Sequence, residues 1–166
     1  MSSTHAPTFT VREATEPELD AAGDAVRAAY AADGHGSSAY HAVLADARLR
    51  ARDATVVVAV SGGEVVGSVT FALPGSRWSE VARDGEAEFR MLGVRPTHRG
   101  LGIGGALTGW CVDRARSLGR RRLVLSSQHS MTAAHRIYEA RGFVRRPDLD
   151  WSPVEGVELL GFSLAL

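Results

Sequence analysis

The feature that most constrains the fold is a glycine-rich turn between a strand pattern and a helix pattern. An apolar run at residues 87–94 precedes Pro96, and the turn at residues 99–105 leads directly into a helix ending near Leu118. Glycine lacks a Cβ atom, so its backbone adopts positive φ and its amide approaches a ligand closely. The first N–H groups of a helix have no intrahelical partner and favour an anion. The sequence therefore predicts a phosphate-binding turn at a strand-to-helix junction.

The glycine spacing also has a dinucleotide interpretation. Gly100, Gly102 and Gly105 formally match the G-x-G-x-x-G pattern of dinucleotide-binding folds. That pattern follows its strand directly, whereas residues 95–99, with Pro96 among them, intervene here. The ribose-binding acid expected about twenty residues further on is also missing. An NAD(P)-dependent oxidoreductase is therefore a lesser alternative.

Charge is unevenly distributed along the chain. The 166 residues carry 19 basic and 19 acidic side chains, a net charge of +0, which argues against a uniformly basic nucleic-acid-binding protein. Residues 89–138 hold nine Arg and one acid, a balance of 9 − 1 = +8, whereas residues 1–88 (7 − 13 = −6) and 139–166 (3 − 5 = −2) are acidic. The basic segment contains the glycine turn, so we expect an anionic ligand bound there.

Several other classes are excluded by composition. All 19 basic residues are Arg, which rules out a P-loop lysine and Schiff-base chemistry. One cysteine, Cys111, excludes an intramolecular disulfide and a cysteine-cluster metal site. No apolar run approaches the ~18 residues of a membrane span, and the first residues lack the features of a signal peptide. We therefore expect one cytoplasmic domain over residues 1–166, with no bound metal and no membrane partner.

Periodicity and turn signals predict the order β-α-α-β-β-β-α-β-α-β-β. Thr15 and Glu18 have the spacing of a capping box at the start of the first helix. Strands are predicted at residues 9–12, 55–60, 65–73, 87–94, 123–125, 143–145 and 157–164, the second helix at 39–52, the last at 132–141, and a loop at 74–85. This order predicts an α/β fold whose sheet is partly antiparallel and partly parallel. The last strand is apolar enough to pair across a homodimer.

Two motifs resemble those of the GNAT superfamily of N-acetyltransferases. The first is Val94-x-Pro-x-x-Arg99-Gly-x-Gly102-x-Gly104, and the second is Ala134-x-x-x-Tyr138-x-x-x-Gly-Phe143. Together they cover residues 87–143. The resemblance implies a mixed sheet with splayed central strands, flanked by about four helices. It also implies acetyl-CoA as co-substrate.

The resemblance implies where acetyl-CoA is held. In the family the glycine turn binds the pyrophosphate, and a bulge in the preceding strand exposes backbone groups to the pantetheine arm. Many members have Asn at the position of Met131, and the substitute for it is a neighbouring hydroxyl, of Ser130 or Thr132, or one at the strand end, of Ser126 or Ser127. The expected contacts are Leu92, Gly93, Val94, Arg99, Gly100, Leu101, Gly102, Ile103, Gly104, Gly105, Ser127, Met131 and Tyr138.

Acetyl transfer to an amine needs a base for the ammonium, a donor to the thioester oxygen and an acid for the leaving thiolate. Tyr138 matches the family tyrosine that acts as general acid. Glu88 is the candidate base, by itself or through a water, and Glu86 on the same strand face is its rival. By the resemblance, a backbone amide at Leu92 or Gly93 meets the acetyl oxygen.

Because side chains alternate along a strand, the residues around Glu88 are assigned to two opposite faces of the predicted strand at 87–94. The alternation places Glu88 and Arg90 together, opposite Phe89 and Met91. His129 and His135 are expected near the thiol end, where a lone histidine is more often a bystander than a catalyst.

The acceptor is expected to be a primary amine, on a small molecule or on a protein. Tyr30, Tyr40, Trp78 and Glu88 are the predicted acceptor-site residues, with His35 and Trp151 as further lining candidates. A non-catalytic acyl-CoA-binding module is the alternative to an enzyme, since the usual Asn is replaced by Met131.

Overall fold

The computed structural model of the protein describes residues 8–166. Within this range the α-helices are α1 (Leu19–Ala32), α2 (Ser38–Ala45), α3 (Ala47–Arg50), α4 (Ile103–Ser117) and α5 (Thr132–Ala140). The strands are β1 (Thr10–Glu13), β2 (Thr55–Ser61), β3 (Glu64–Ala72), β4 (Glu86–Val94), β5 (Arg122–Gln128), β6 (Val144–Arg145) and β7 (Leu159–Ala165). None of the helices in the described part of the chain has the length and apolar character needed to cross a membrane.

The strands form one sheet in the order β1-β2-β3-β4-β5-β7-β6. Only β4 and β5 pair in parallel, and every other neighbouring pair is antiparallel. The predicted mixed α/β sheet is confirmed. A dinucleotide-binding fold needs a doubly wound, mostly parallel sheet, so the oxidoreductase alternative does not fit this topology. The strand expected at a dimer edge, β7, lies inside the sheet between β5 and β6 and has no free edge along residues 162–163.

The two parallel strands separate after a short paired stretch. Their register covers only Glu86–Glu88 of β4 against Arg122–Val124 of β5, although β4 continues to Val94 and β5 to Gln128. The edge of β4 that faces β5 is therefore unpaired beyond Glu88. The splayed central strands expected from the family resemblance are confirmed.

A β-bulge distorts β4 close to the point of separation. Met91 has φ 56°, the only positive φ of a non-glycine residue in the described part of the chain. Ser68 pairs with Gly93 and Thr70 with Arg90, so three steps along β4 oppose two steps along β3. The extra residue reverses the alternation. Met91 consequently packs against the cluster that contains Trp78, and the prediction that it shares a face with Phe89 is wrong.

The helices cover both faces of the sheet. Residues of α4 pack on one face with Phe89, whereas α1, α2 and α3 cover the other face. Gly93 permits the close approach of α1 to β4, since a Cβ at this position would lie 3.0 Å from the Cβ of Ala29. The predicted capping box is confirmed, because the Thr15 N–H donates to Glu18 Oε1 at 2.8 Å. The helix α1 is thus fixed at its start and packed along the splayed strand.

The predicted helix at residues 39–52 is wrong, because the chain forms two helices there. Asp46 ends α2 and accepts the Leu49 N–H at 3.0 Å, which caps α3. Arg50 is fully buried and donates to the carbonyl groups of Val43 and Leu44, at 2.7 and 2.9 Å. Burial lowers the pKa of Arg50 to about 10. A buried guanidinium therefore satisfies the end of α2 that a continuous helix would have satisfied itself.

Candidate active site

A cleft of about 920 Å³ opens where β4 and β5 separate. Its walls are the end of β4, the glycine turn, the first turn of α4, the start of α5 and the end of α1; we call it the cofactor cleft. The predicted contacts that line it are Leu92, Gly93, Val94, Arg99, Gly100, Gly102, Ile103, Gly104, Gly105 and Met131. Leu101, Ser127 and Tyr138 are not among its lining residues, and the Leu101 side chain is exposed. Most of the predicted set is therefore brought together on one cleft.

The glycine turn has the backbone geometry of an anion cradle. Gly100 and Gly102 have φ values of 77° and 83°, which L side chains rarely adopt. Gly102 precedes α4 without any side-chain cap, and its carbonyl accepts the Ala106 N–H at 3.0 Å. The amides of residues 103–105 therefore precede the hydrogen-bond ladder of the helix and remain at its positive end.

Two arginines flank this cradle in different ways. Arg99 forms an ion pair with Asp33 at 2.7 Å and donates to the Ala29 carbonyl at 3.2 Å, so it ties the turn to the end of α1. Arg141 also lines the cleft, and a Cβ at Gly109 of α4 would lie 2.8 Å from its Nη1. Arg141 makes no ion pair with residues 8–166. Sequence reasoning missed it, although it directly precedes the Gly-Phe pair of the second motif.

A second cavity of about 470 Å³ adjoins the cofactor cleft, and Tyr30 and Met131 line both. We call it the acceptor cavity. Tyr30, Tyr40 and Glu88 from the predicted acceptor site line it, together with Trp151. His35 lines the cofactor cleft instead. The two cavities therefore meet at the opening between the splayed strands.

Trp78 departs from the predicted acceptor site, because it lies outside both cavities. Its side chain is buried against Leu44 and Met91. The guanidinium groups of Arg77 and Arg90 lie 5.3 and 5.8 Å from its ring centre. The residue thus packs the base of the loop at 74–85 rather than the cavity wall.

Glu88 is almost completely buried, at 1% exposure, and one of its oxygens holds a loop. Oε1 accepts the backbone N–H groups of Glu80, Val81 and Ala82 at 3.0, 2.8 and 2.9 Å. Burial raises the pKa of Glu88, and the three N–H donors partly oppose the shift. The carboxylate is therefore fixed in orientation at the wall of the acceptor cavity.

The rival Glu86 is equally buried but lines neither cavity. It accepts the Arg83 N–H at 2.8 Å and lies 3.7 Å from the Arg122 guanidinium. Of the two carboxylates, only Glu88 faces the acceptor cavity.

Tyr138 lies in an aromatic cluster at the base of the splay. Its ring centre is 5.7 Å from Phe89, 5.9 Å from Phe143 and 6.0 Å from Phe162, and it lines neither cavity. Burial raises the pKa of Tyr138. Burial also raises the pKa of Tyr30, and the nearby phenols of Tyr40 and Tyr138 add to that shift. Tyr138 is therefore buried at the base of the splay, with its hydroxyl protonated at neutral pH.

The sequence profile of the acetyltransferase (GNAT) family matches residues 19–143. The chain belongs to this family. A mycothiol acetyltransferase of Geodermatophilus obscurus is 37% identical over 86 residues, which are 48% of this chain and 28% of that protein. The chain thus matches less than a third of that relative's length.

Solved structures share the fold at low identity. The PaiA N-acetyltransferase of Thermoplasma acidophilum, in complex with coenzyme A, superposes with a TM-score of 0.71 at 15% identity, over 96% of this chain and 99% of that one. The ribosomal-protein-alanine N-acetyltransferase of Brucella melitensis gives 0.67 at 23% identity, over 95% and 99%. These likenesses show that the described chain has the GNAT fold.

At Met131 this chain differs from many GNAT members, and the structure shows which side chains surround it. Met131 stands where many members have Asn, and its Sδ lies 3.7 Å from Ser127 Oγ. Ser127 lines the acceptor cavity rather than the cofactor cleft, and its Oγ lies 3.0 Å from His135 Nε2. Burial lowers the pKa of His135. His129 is exposed and lines neither cavity. Of the hydroxyls expected to replace the missing amide, that of Ser127 is thus engaged by a histidine, whereas Ser130 and Thr132 line the cofactor cleft.

Proposed function

We propose that the protein transfers the acetyl group of acetyl-CoA to a primary amine by direct attack in a ternary complex. The observation that carries this proposal is the meeting of two cavities at Tyr30 and Met131. One cavity has a backbone cradle suited to phosphate oxygens. The other presents the buried carboxylate of Glu88, which suits a cationic amine. Coenzyme A in the Thermoplasma acidophilum GNAT structure supports the assignment of the first cavity.

The cofactor cleft fits coenzyme A in three respects. The amides of residues 103–105 would hold the pyrophosphate, and the unpaired edge of β4 at residues 92–94 would hold the pantetheine arm. Arg141 adds positive charge beside the cradle, whereas the charge of Arg99 is balanced by Asp33. Acetyl-CoA, when bound, supplies an activated thioester to the acceptor.

Glu88 is the proposed base. An alkylammonium has a pKa near ~10.4 and is mostly unreactive at neutral pH, so it must lose a proton before attack. The loop amides fix Glu88 Oε1, and Oε2 accepts no hydrogen bond from residues 8–166. This free oxygen would take the ammonium proton, by itself or through one water. The amide of Leu92 or Gly93 would donate to the acetyl oxygen.

Tyr138 is the proposed donor to the leaving sulfur. The hydroxyl is protonated at neutral pH, which the role requires, and burial raises its pKa and so weakens it as an acid. The Tyr138 ring packs against Phe89 and Phe162 at the base of the splay. We expect donation from the hydroxyl to stabilise the thiolate as the bond to the acetyl carbon breaks.

Steady-state turnover tests this proposal. Purified protein, acetyl-CoA and a panel of primary amines should release free thiol in proportion to acetylated amine. Tyr138→Phe preserves the aromatic packing and removes only the hydroxyl, so kcat should fall about 100-fold with acetyl-CoA affinity unchanged. An unaltered kcat would remove Tyr138 from the donor role.

A non-catalytic acyl-CoA-binding module is the second candidate. It is favoured by Met131 at the usual Asn position and by Tyr138 outside both cavities. It predicts coenzyme A binding by calorimetry without turnover on any amine of the panel.

The remaining expectations stay predictions. These are the single domain over residues 1–166, the cytoplasmic location, the homodimer, and a reaction without metal or nucleic acid. Gel filtration with light scattering measures the oligomeric state directly.

A further inference from the structure

The acceptor cavity has an apolar side. Tyr40 and Val43 line it from α2, and Trp151, Val157 and Leu159 line it from the chain leading into β7. The Trp151 Nε1 donates to Ser126 Oγ at 3.2 Å. Since this indole N–H is already engaged, the wall offers mainly contact area, and the Tyr40 hydroxyl is its polar group.

The charged groups of the cavity nearly cancel. Glu80, Glu88 and Arg90 are its charged lining residues. Arg90 Nη1 lies 3.2 Å from Glu80 Oε1 and donates to the Trp78 carbonyl at 3.3 Å. Glu80 and Arg90 neutralise each other, so the carboxylate of Glu88 leaves the cavity with a net charge of about −1. No other Arg and no His lines the cavity. An anionic group on the acceptor would therefore be buried without a free cationic partner, which is costly.

The size of the cavity limits the body of the acceptor. Its volume of about 470 Å³ lies within the range of small-molecule sites, roughly 300 to 1,000 Å³. Across the cavity from α2, the Ser152 hydroxyl lies 2.7 Å from the Val154 and Val157 carbonyl oxygens, which braces the loop before β7. The space admits a small molecule of one or more rings and more than covers one ring with a short linker.

From these observations we infer that the acceptor is a small monoamine with an apolar, ring-containing body and no carboxylate beside its amino group. The ammonium lies towards Glu88 and the body lies against Tyr40, Trp151 and Val157. The inference rests on the proposed function, since it names the acceptor of that reaction. Amino acids, polyamines and polypeptide N-termini are the acceptors it excludes as good substrates.

A matched acceptor series tests the inference. The kcat/KM for 2-phenylethylamine should exceed that for phenylalanine about 100-fold, because the two share a body and differ by the buried carboxylate. Spermidine and a hexapeptide with a free N-terminal alanine should also be poorer than 2-phenylethylamine. If any of these three equals or surpasses it, acetyl transfer stands and the inference is overturned. If acetyl-CoA binds by calorimetry and no amine is acetylated, both the proposed function and the inference fail.

A variant of the apolar wall provides a second test. Val157→Asp adds a second carboxylate to the wall of the acceptor cavity, so kcat/KM should fall about tenfold for 2-phenylethylamine and rise for 1,4-diaminobutane. Val43→Asp is the more exposed alternative, at 39%, should the first variant fail to fold. Val144→Asp is the control, since Val144 is 60% exposed on β6 and lines neither cavity. An unchanged ratio between the two amines in both wall variants would overturn the inference.

Discussion

The two cavities that meet at Tyr30 and Met131 differ in whether main-chain or side-chain atoms form their functional part. The cofactor cleft is formed by main-chain atoms at its functional end: two glycines at positive φ, the open start of α4 and the unpaired edge of β4. The acceptor cavity is formed by side chains, with Glu88 as the residue that gives it chemical character. A site made from backbone requires certain residue types at a fixed spacing. A site made from side chains requires only that suitable groups converge.

The largest effect is expected from a substitution in the acceptor cavity that impairs catalysis and leaves binding in the cofactor cleft intact. Glu88→Gln should lower kcat/KM by about 100- to 1,000-fold, because an amide cannot accept the ammonium proton. Acetyl-CoA affinity, measured by calorimetry, should change less than twofold. The Gln oxygen can still accept the three loop N–H groups that Glu88 Oε1 accepts.

Glu86→Gln is the matched control, because Glu86 is equally buried and also accepts a backbone N–H. Similar losses of activity in both variants would show that the effect comes from lost stability in β4. The contrast between the two cavities would then lose its chemical basis.

A smaller effect is expected from the main chain of the cofactor cleft. Gly102→Ala forces an L side chain to φ near 83°, at a conformational cost of about 1 to 2 kcal/mol, and should weaken acetyl-CoA binding about tenfold. Gly119→Ala is the control, since Gly119 has φ 69° and an equally open Cβ direction but lies beyond the other end of α4. Both variants should lose similar thermal stability, and only the first should lose affinity. Equal affinities would show that the turn does not hold the ligand.

Met131 lines both cavities, so a change there should affect both substrates. Met131→Asn restores the residue found in many GNAT members and adds one hydrogen-bonding group, worth about 0.5 to 1.5 kcal/mol. Acetyl-CoA should bind about two- to tenfold more tightly, and the KM of the amine should change in the same variant. A change confined to the amine would assign Met131 to the acceptor cavity alone.

The smallest effect is expected from a change that disturbs both cavities equally. Glu18 fixes the start of α1, whose far end walls both cavities, and Glu18→Ala should cost about 1 kcal/mol at pH 7. The Arg12 guanidinium beside Glu18 lowers the pKa of that carboxyl to about 2, below its unfolded value near ~4.3.

The pH dependence of this cost follows from linkage. Because the unfolded chain binds more protons between these values, wild-type stability contributed by Glu18 is complete above about pH 5 and is lost towards pH 2. Denaturant unfolding of both proteins at several pH values measures the difference. A difference independent of pH would contradict the role of the Arg12–Glu18 pair.

Sequence reasoning predicted the glycine turn and the helix that follows it, for a physical reason. Positive φ and the close approach of backbone to ligand restrict the residue choice to glycine. The turn at residues 99–105 can therefore be recognised from a single sequence. The splay of β4 and β5 and the order of elements followed from the family resemblance and from periodicity. The activity and the roles of individual residues stay proposals.

The rest depended on tertiary contacts that no local pattern contains. Arg50 reaches back to the end of α2, which divides a segment whose periodicity favours one helix. Trp78 is aromatic and lies in a loop, yet packing beneath Arg90 takes it out of the acceptor cavity. Arg141 enters the cofactor cleft only because α5 ends beside Gly109 of α4.

The bulge at Met91 makes β4 sensitive to its length. Arg90 and Met91 both line the acceptor cavity, whereas Leu92 and Gly93 line the cofactor cleft. Removing one residue here would either abolish the bulge or shift one flank of β4 against β3 by one residue, and such a slip turns every side chain of that flank to the opposite face. A one-residue deletion in this stretch should therefore be tolerated far less than most substitutions, and natural length variation among homologues should avoid it.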